Sequence, residues 1–451
     1  MSREEPGCPW RRARRASDAP GRAGPGGAAE QQSRLHDARS VRSPAQPPGR
    51  AGRPYPVAVT VRLFCTKRQA LADVPGSDPV NVYVCGITPY DSTHLGHVAT
   101  FLTYDVLARR LADEGRAVDL VRNITDLDDP ILGRVQQLGV DYWTLVEAEI
   151  AQFSEDMRAL NALPALAEPR VSRVLPRIVE AIEELLRSGC AYTQGGVVYF
   201  DVSRAPAFGT ISCYSMDYML HLARERGGDP DRPGKRNRLD FVLWQPSRPG
   251  EPEYESPFGT GRPGWHIGCS VMSREAFGSR VDIHGGGTDL IFPHHESEQA
   301  QNDCLAGGTS VDLWVHTAPV AYQGEKMSKS LGNIVLARDL LRVADPRAIR
   351  LAVLRRYHHH RGGEWRDEDL YAGVELLTKL LLAVRRPTGP DPRPFAAAAR
   401  ARLDDDLDVP GAMRQLELLT DATLRDGGPS PEAAAGLVDI AGLVGVPLAA
   451  S

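Results

Sequence analysis

The stretch from Val80 to Ile124 constrains the fold most. Val80–Asn81–Val82–Tyr83–Val84–Cys85 is a short, mostly apolar run that predicts a buried strand, and a loop containing Gly86 follows it. From Gly96 to Leu111, the residues Phe101, Tyr104, Leu107, Ala108 and Leu111 recur at helical spacing. A second strand is predicted at Val118–Ile124. Strand, helix and strand joined by short links form the unit from which a doubly wound parallel sheet is built.

The rest of the chain fits around that unit. Helical patterns run from Tyr142 to Leu186, and residues 190–263 are rich in Gly and Pro and read as an irregular insertion. Strand patterns return at Val281–His284 and Leu313–His316. From Leu336 the pattern is helical, with Leu351, Leu354, Leu376, Leu377, Leu380 and Leu381 among its apolar positions, which predicts a small helical bundle. Residues 1–54, rich in Arg, Pro, Gly, Ala and Ser, lack an apolar period and read as a disordered extension. The expected division is therefore 1–54, a catalytic domain at 55–335 with an insertion at about 171–264, and a bundle at 336–451.

Composition removes some classes of function. No run approaches the ~18 apolar residues of a membrane span, and the N-terminus lacks a secretory apolar core, so a cytoplasmic enzyme is expected. The net charge of −5 gives no global field to attract nucleic acid. The seven cysteines are odd in number and irregularly spaced. That argues against a disulfide framework and for plain buried thiols, a few of them metal-binding or catalytic.

Two motifs carry chemistry. Thr93–His94–Leu95–Gly96–His97 opens the first helix, where free amides and the helix dipole favour phosphate. The imidazoles of His94 and His97 add donors there. Lys326–Met327–Ser328–Lys329–Ser330 lies between Gly324 and Gly332. The chain has only five lysines, and two of them stand on this loop, where they can neutralise a polyphosphate leaving group. Asp126, Asp128 and Asp129 form an acidic cluster after the second strand that reads equally as a polar loop or a helix cap. His358, His359 and His360 read as solvated or helix-terminal.

In this order, the two motifs resemble those of the class I aminoacyl-tRNA synthetases. Trp265–His266–Ile267–Gly268–Cys269–Ser270 and His284–Gly285–Gly286–Gly287–Thr288–Asp289–Leu290–Ile291–Phe292–Pro293–His294–His295–Glu296 resemble stretches of cysteinyl-tRNA synthetases, with Gly268 where those carry Glu. The resemblance implies a Rossmann-like α/β catalytic fold, a doubly wound parallel sheet with an insertion and a C-terminal α-helical bundle. It also implies one Zn²⁺ per chain, held by Cys85, Cys269, His294 and Glu298, which reads the cysteine thiol. Two thiolates, an imidazole and a carboxylate are sound zinc donors, and a soft thiolate partner separates cysteine from serine better than an apolar pocket can.

Further implied roles cover the catalytic His94, His97, Lys326 and Lys329. Substrate and adenylate contacts are implied for Cys85, Gly86, Ile87, Thr88, Thr100, Asn123, Ile124, Thr125, Trp265, Gly287, Thr288, Asp289 and Val320. ATP would arrive with Mg²⁺. The run Cys85–Gly86–Ile87–Thr88–Pro89–Tyr90–Asp91 through His97, and Glu225–Arg226–Gly227–Gly228–Asp229–Pro230–Asp231–Arg232–Pro233–Gly234–Lys235, resemble the mycothiol-biosynthesis branch of the family. Its members join L-cysteine to the amine of glucosaminyl-inositol. The 121 residues after Ser330 are few for an anticodon-binding tail, whereas Glu298–Gln299–Ala300–Gln301 resembles the tRNA enzymes. Transfer to tRNA, transfer to another amine, and an inactive ligand-binding relative stay open as alternatives.

Overall fold

A computed structural model describes residues 60–448 except 306 and 328–330. The extension at 1–54 and Lys329 lie outside the described residues. A hairpin of β1 (Arg62–Cys65) and β2 (Ala70–Asp73) precedes β3 (Val80–Ile87), α1 (Leu95–Asp113) and β4 (Val118–Ile124). Next come α2 (Asp129–Leu138), α3 (Tyr142–Ala159), α4 (Leu175–Arg187), β5 (Ala191–Gln194), β6 (Val197–Phe200), α5 (Met216–Glu225), β7 (Phe241–Gln245) and β8 (Arg262–Pro263). The chain returns through α6 (Trp265–Phe277), β9 (Arg280–Gly287), α7 (Glu296–Cys304) and β10 (Ser310–Thr317). The remainder holds β11 (Val320–Tyr322), β12 (Glu325–Lys326), α8 (Ala337–Leu341), α9 (Pro346–Arg356), β13 (Gly363–Trp365), α10 (Asp367–Ala383), α11 (Arg393–Asp404), α12 (Val409–Arg425) and α13 (Ala433–Leu443).

The central sheet has the order β10-β9-β3-β4, with every pairing parallel. After β3 the chain crosses to β4 on one side, and later to β9 on the other. The strand order therefore reverses at β3, and a crevice opens beyond its carboxyl end. The strands are apolar along most of their length because both faces are covered. On one face, Leu102 and Leu107 of α1 share a core with Leu351, Leu376 and Leu416 of the later helices. On the other, Val121 and Tyr83 pack with Ile178, Phe241 and Ile267.

The insertion is more regular than its composition suggests. Strands β5 to β8 form an antiparallel sheet in sequence order. Its strands are short, and forty residues separate β6 from β7, so no window carries a strand period. The solvated reading of His358 and His359 and the reading of the cysteines need correction, whereas His360 is exposed as expected. His358 and His359 follow the end of α9 but are buried, not solvated; His359 Nε2 meets Asp406 Oδ1 at 2.9 Å in the loop before α12. Cys190 and Cys304 are joined as a disulfide across 114 residues, a pairing made by tertiary packing and invisible in the spacing. Cys65, Cys85, Cys213 and Cys269 form no disulfide. No helix among the described residues is long and apolar enough to cross a membrane.

Candidate active site

The crevice at the end of β3 holds most of the expected residues. His94 caps α1, its Nδ1 accepting from Gly96 N at 3.0 Å, and its ring stacks on His97 at 3.9 Å. A Cβ at Gly96 would fall 2.7 Å from the His94 ring, so glycine is what allows the two imidazoles to sit over the helix N-terminus. A cavity of about 500 Å³ opens there. His94, His97 and Thr100 line it from α1; Cys85, Gly86, Ile87 and Thr88 line it from β3 and the loop beyond. Gly287, Thr288, Asp289, Val320 and Lys326 close the opposite wall. Lys326 Nζ lies 3.8 Å from Asp289 Oδ2 across the mouth.

Asn123, Ile124 and Thr125 act from behind this wall. Asn123 Oδ1 accepts from Gly86 N at 2.9 Å, and its Nδ2 donates to Thr125 Oγ1 at 2.9 Å. A Cβ at Gly86 would lie 1.8 Å from Asn123 O, so only glycine lets β3 and β4 close here. Ile124 pairs with Ile87 in the sheet. On the far side, the Tyr104 hydroxyl accepts from Gly286 N at 2.7 Å and donates to Val315 O at 2.8 Å, fixing the ends of β9 and β10.

A buried cluster forms the floor. Donor atoms of Cys85, Cys269, His294 and Glu298 all lie within 4.8 Å of one another. His294 Nε2 is 3.0 Å from Glu298 Oε1, and the Cys85 thiol is 3.4 Å from the same oxygen. Cys85 comes from β3, Cys269 from α6, and the pair four apart from the turn into α7 and its first turn, so three elements converge. A hydrogen bond from Cys85, against the opposing effect of burial, brings the Cys269 thiol down to about 6. Burial lowers His294, but Glu298 and Cys269 outweigh it and raise its imidazole to about 10. Two soft sulfurs, an imidazole and a carboxylate in one dry cluster fit a zinc ion.

The sequence reading missed two members of this neighbourhood. His284 and His295 form a second donor group with Cys85 and Glu298. His284 Nε2 is 3.3 Å from Glu298 Oε2, and His295 Nδ1 meets His316 Nε2 at 2.7 Å. The signal for His284 was the alternation along β9, which turns it to the same side as Tyr83 in the adjacent strand; His295, in the turn before α7, had no such signal.

Trp265 stands apart from the first cavity. Its ring stacks on His294 at 4.6 Å and lines a second cavity of about 650 Å³ between β3, α2 and the insertion. Thr88 and Tyr90 line both cavities, so the two meet there. Gly268 explains the departure from Glu in its motif. A Cβ there would lie 3.0 Å from Val171 Cγ2 and 3.6 Å from Met272 Cε. Gly268→Glu should therefore force a carboxylate into a filled, apolar position and lower stability by roughly 3 kcal/mol or more in denaturant melts. An unchanged midpoint would refute the packing explanation.

Comparison with known proteins gives the family and the fold. A family profile described as tRNA synthetases class I (C) catalytic domain matches residues 73–373. A Streptosporangium roseum protein named L-cysteine:1D-myo-inositol 2-amino-2-deoxy-alpha-D-glucopyranoside ligase is 45% identical over 395 residues, covering 87% of this chain and 97% of that protein. A Thermobispora bispora protein of the same name is 46% identical, covering 79% and 89%. Among solved structures, Mycobacterium tuberculosis methionyl-tRNA synthetase in complex with methionyl-adenylate aligns with a TM-score of 0.56 at 15% identity, over 82% of this chain and 89% of that one. The leucyl synthetase of an Agrobacterium radiobacter ternary complex aligns with a TM-score of 0.58 at 11% identity, over 82% and 85%. At those identities the likeness is one of fold.

Proposed function

Because the chain belongs to the class I (C) tRNA synthetase catalytic family, and within it to the L-cysteine:1D-myo-inositol 2-amino-2-deoxy-alpha-D-glucopyranoside ligases, we propose that it activates L-cysteine with ATP and joins it to the amine of that amino sugar. The observation that carries this reading is the position of Cys85. It belongs to the buried donor cluster and also to the wall of the 500 Å³ cavity. A thiol read by the cluster therefore sets its carboxylate in the space that receives ATP.

Cys85, Cys269, His294 and Glu298 would hold the zinc. When bound, it supplies a soft Lewis acid that accepts the substrate thiolate in preference to a hydroxyl. Thr88 and Trp265 bound the substrate side chain. The cysteine carboxylate attacks the α-phosphorus in line, and catalysis is positioning and charge stabilisation. His94, His97 and the α1 amides face the phosphates. Lys326, with Lys329, neutralises the departing pyrophosphate, which carries Mg²⁺ from ATP. Gly287, Thr288, Asp289 and Val320 receive the adenosine. In the second half-reaction the sugar amine displaces AMP from the acyl group.

The test is to incubate the chain with ATP, Mg²⁺ and cysteine, with glucosaminyl-inositol or tRNA in parallel, and to weigh the products. Cysteinyl-glucosaminyl-inositol with stoichiometric AMP is the expected result. Cysteinyl-tRNA alone would transfer the reading to the synthetases, and AMP with neither acceptor modified would keep adenylation and reject this amine.

A further inference from the structure

We infer that Asp128 is the catalytic carboxylate of the second half-reaction, taking the proton that frees the acceptor amine at the junction of the two cavities; this rests on the ligase reading above. The first cavity is filled by the adenylate, so the acceptor must reach its carbonyl from elsewhere. The second cavity, about 650 Å³, is of a size for a pseudo-disaccharide and opens into the first at Thr88 and Tyr90. It offers the aromatic faces of Tyr199, Phe241 and Trp265 together with arginine side chains from the insertion, a lining suited to a polyol.

Three acidic residues follow β4, and the structure separates them. Asp126 is bound to Ser172, its Oδ1 accepting the Ser172 amide at 2.9 Å. Asp129 is held between the guanidinium groups of Arg248 and Arg262, which also grip Glu251. Asp128 differs. Its Oδ1 caps α2 by accepting Asp129 N at 2.8 Å, while Oδ2 faces Thr88 Oγ1 at 3.5 Å on the cavity wall. One oxygen fixes the group, and the other is presented at the point where the cavities join. The charged groups around it are Asp129, Arg262 and His294, with the Tyr142 phenol behind. Burial dominates and lifts its carboxyl to about 6, which suits a base at neutral pH. Asp240, another acid of this cavity, is occupied by Tyr192, Val202 N and Asn237 N.

The step balances. The acceptor ammonium gives one proton to Asp128, and the neutral nitrogen adds to the adenylate carbonyl carbon. The carbon–oxygen bond to phosphate breaks with its electron pair on AMP, and the second nitrogen proton passes to solvent.

Asp128→Asn keeps the helix cap and removes the base. Transfer from preformed enzyme-bound cysteinyl adenylate to glucosaminyl-inositol should slow by about 100-fold in single turnover. Cysteine-dependent pyrophosphate exchange should continue at the wild-type rate, which also certifies folding. The defect should narrow as pH rises, because more acceptor arrives as free amine. Transfer at the wild-type rate, an equal loss in both half-reactions, or a defect independent of pH would each overturn the assignment. Wild-type enzyme that forms no amide with this acceptor would instead refute the ligase reading.

Discussion

Cys269→Ser is expected to lower cysteine-dependent pyrophosphate exchange by ~100-fold or more and to reduce bound zinc measured on the purified chain. The substitution is nearly isosteric, so the 1% exposed site on α6 should still pack. What changes is the donor. A serine hydroxyl stays protonated at neutral pH and is a poor partner for a borderline-soft ion, whereas a thiolate is a strong one. The remaining set of Cys85, His294 and Glu298 would keep three donors in one cluster, but a weakly held zinc is expected to rank cysteine above serine poorly. An apolar pocket alone separates near-isosteres by only ~1–3 kcal/mol. Two readouts are needed because they fail differently. Lost zinc with retained exchange would make the ion structural. Near-wild-type values of both would remove Cys269 from the cluster's chemistry.

The parts legible in the sequence were those whose information is local. The βαβ unit was readable because the apolar run of β3, the helical spacing of α1 and the run of β4 each fit inside one window. The His94–His97 motif was readable because helix N-termini bind phosphate whatever surrounds them. The donor cluster drew on β3, α6 and α7, and only the resemblance brought its members together. His284 and His295 escaped because their role is to touch Glu298 and His316 across strands. The antiparallel sheet of the insertion escaped because its strands are only two to five residues long. Asp128 stood among three equivalent acids until the partners of Asp126 and Asp129 were known.

Arg350→Met should cost about 3–5 kcal/mol in equilibrium unfolding, the penalty for breaking a buried ion pair by removing one partner. Arg350 on α9 is 1% exposed. Its Nε donates to Val444 O at 2.6 Å, its Nη1 to Leu160 O at 2.9 Å, and its Nη2 pairs with Asp105 of α1. One side chain thus ties the C-terminal helices to the helix that carries His97. Gly445, with φ of 72°, makes room for it, since a Cβ there would lie 2.3 Å from Nη2. The pH dependence has a definite sign. Burial raises the Asp105 carboxyl, but Arg350 and Arg109 outweigh it and hold it below the ordinary carboxylate value. In the wild type this contributes stability that is present above the unfolded-state value and is lost as pH falls through the lower folded one. In the variant burial is opposed only by Arg109 and the Leu163 amide, which donates to Asp105 Oδ1 at 2.7 Å, so protonation relieves the strain and the gap to wild type should narrow in acid. Adding Asp105→Asn should restore part of the loss at neutral pH, because no unpaired charge is then left behind. If the sheet and the C-terminal helices form one cooperative unit, through the core that Leu102 shares with Leu351 and Leu416, the wild type should melt in one transition and the variant in one earlier transition. A loss under ~1 kcal/mol would reduce the pair to the value of a surface bridge, and two separate transitions would make the helices after residue 336 an independent domain.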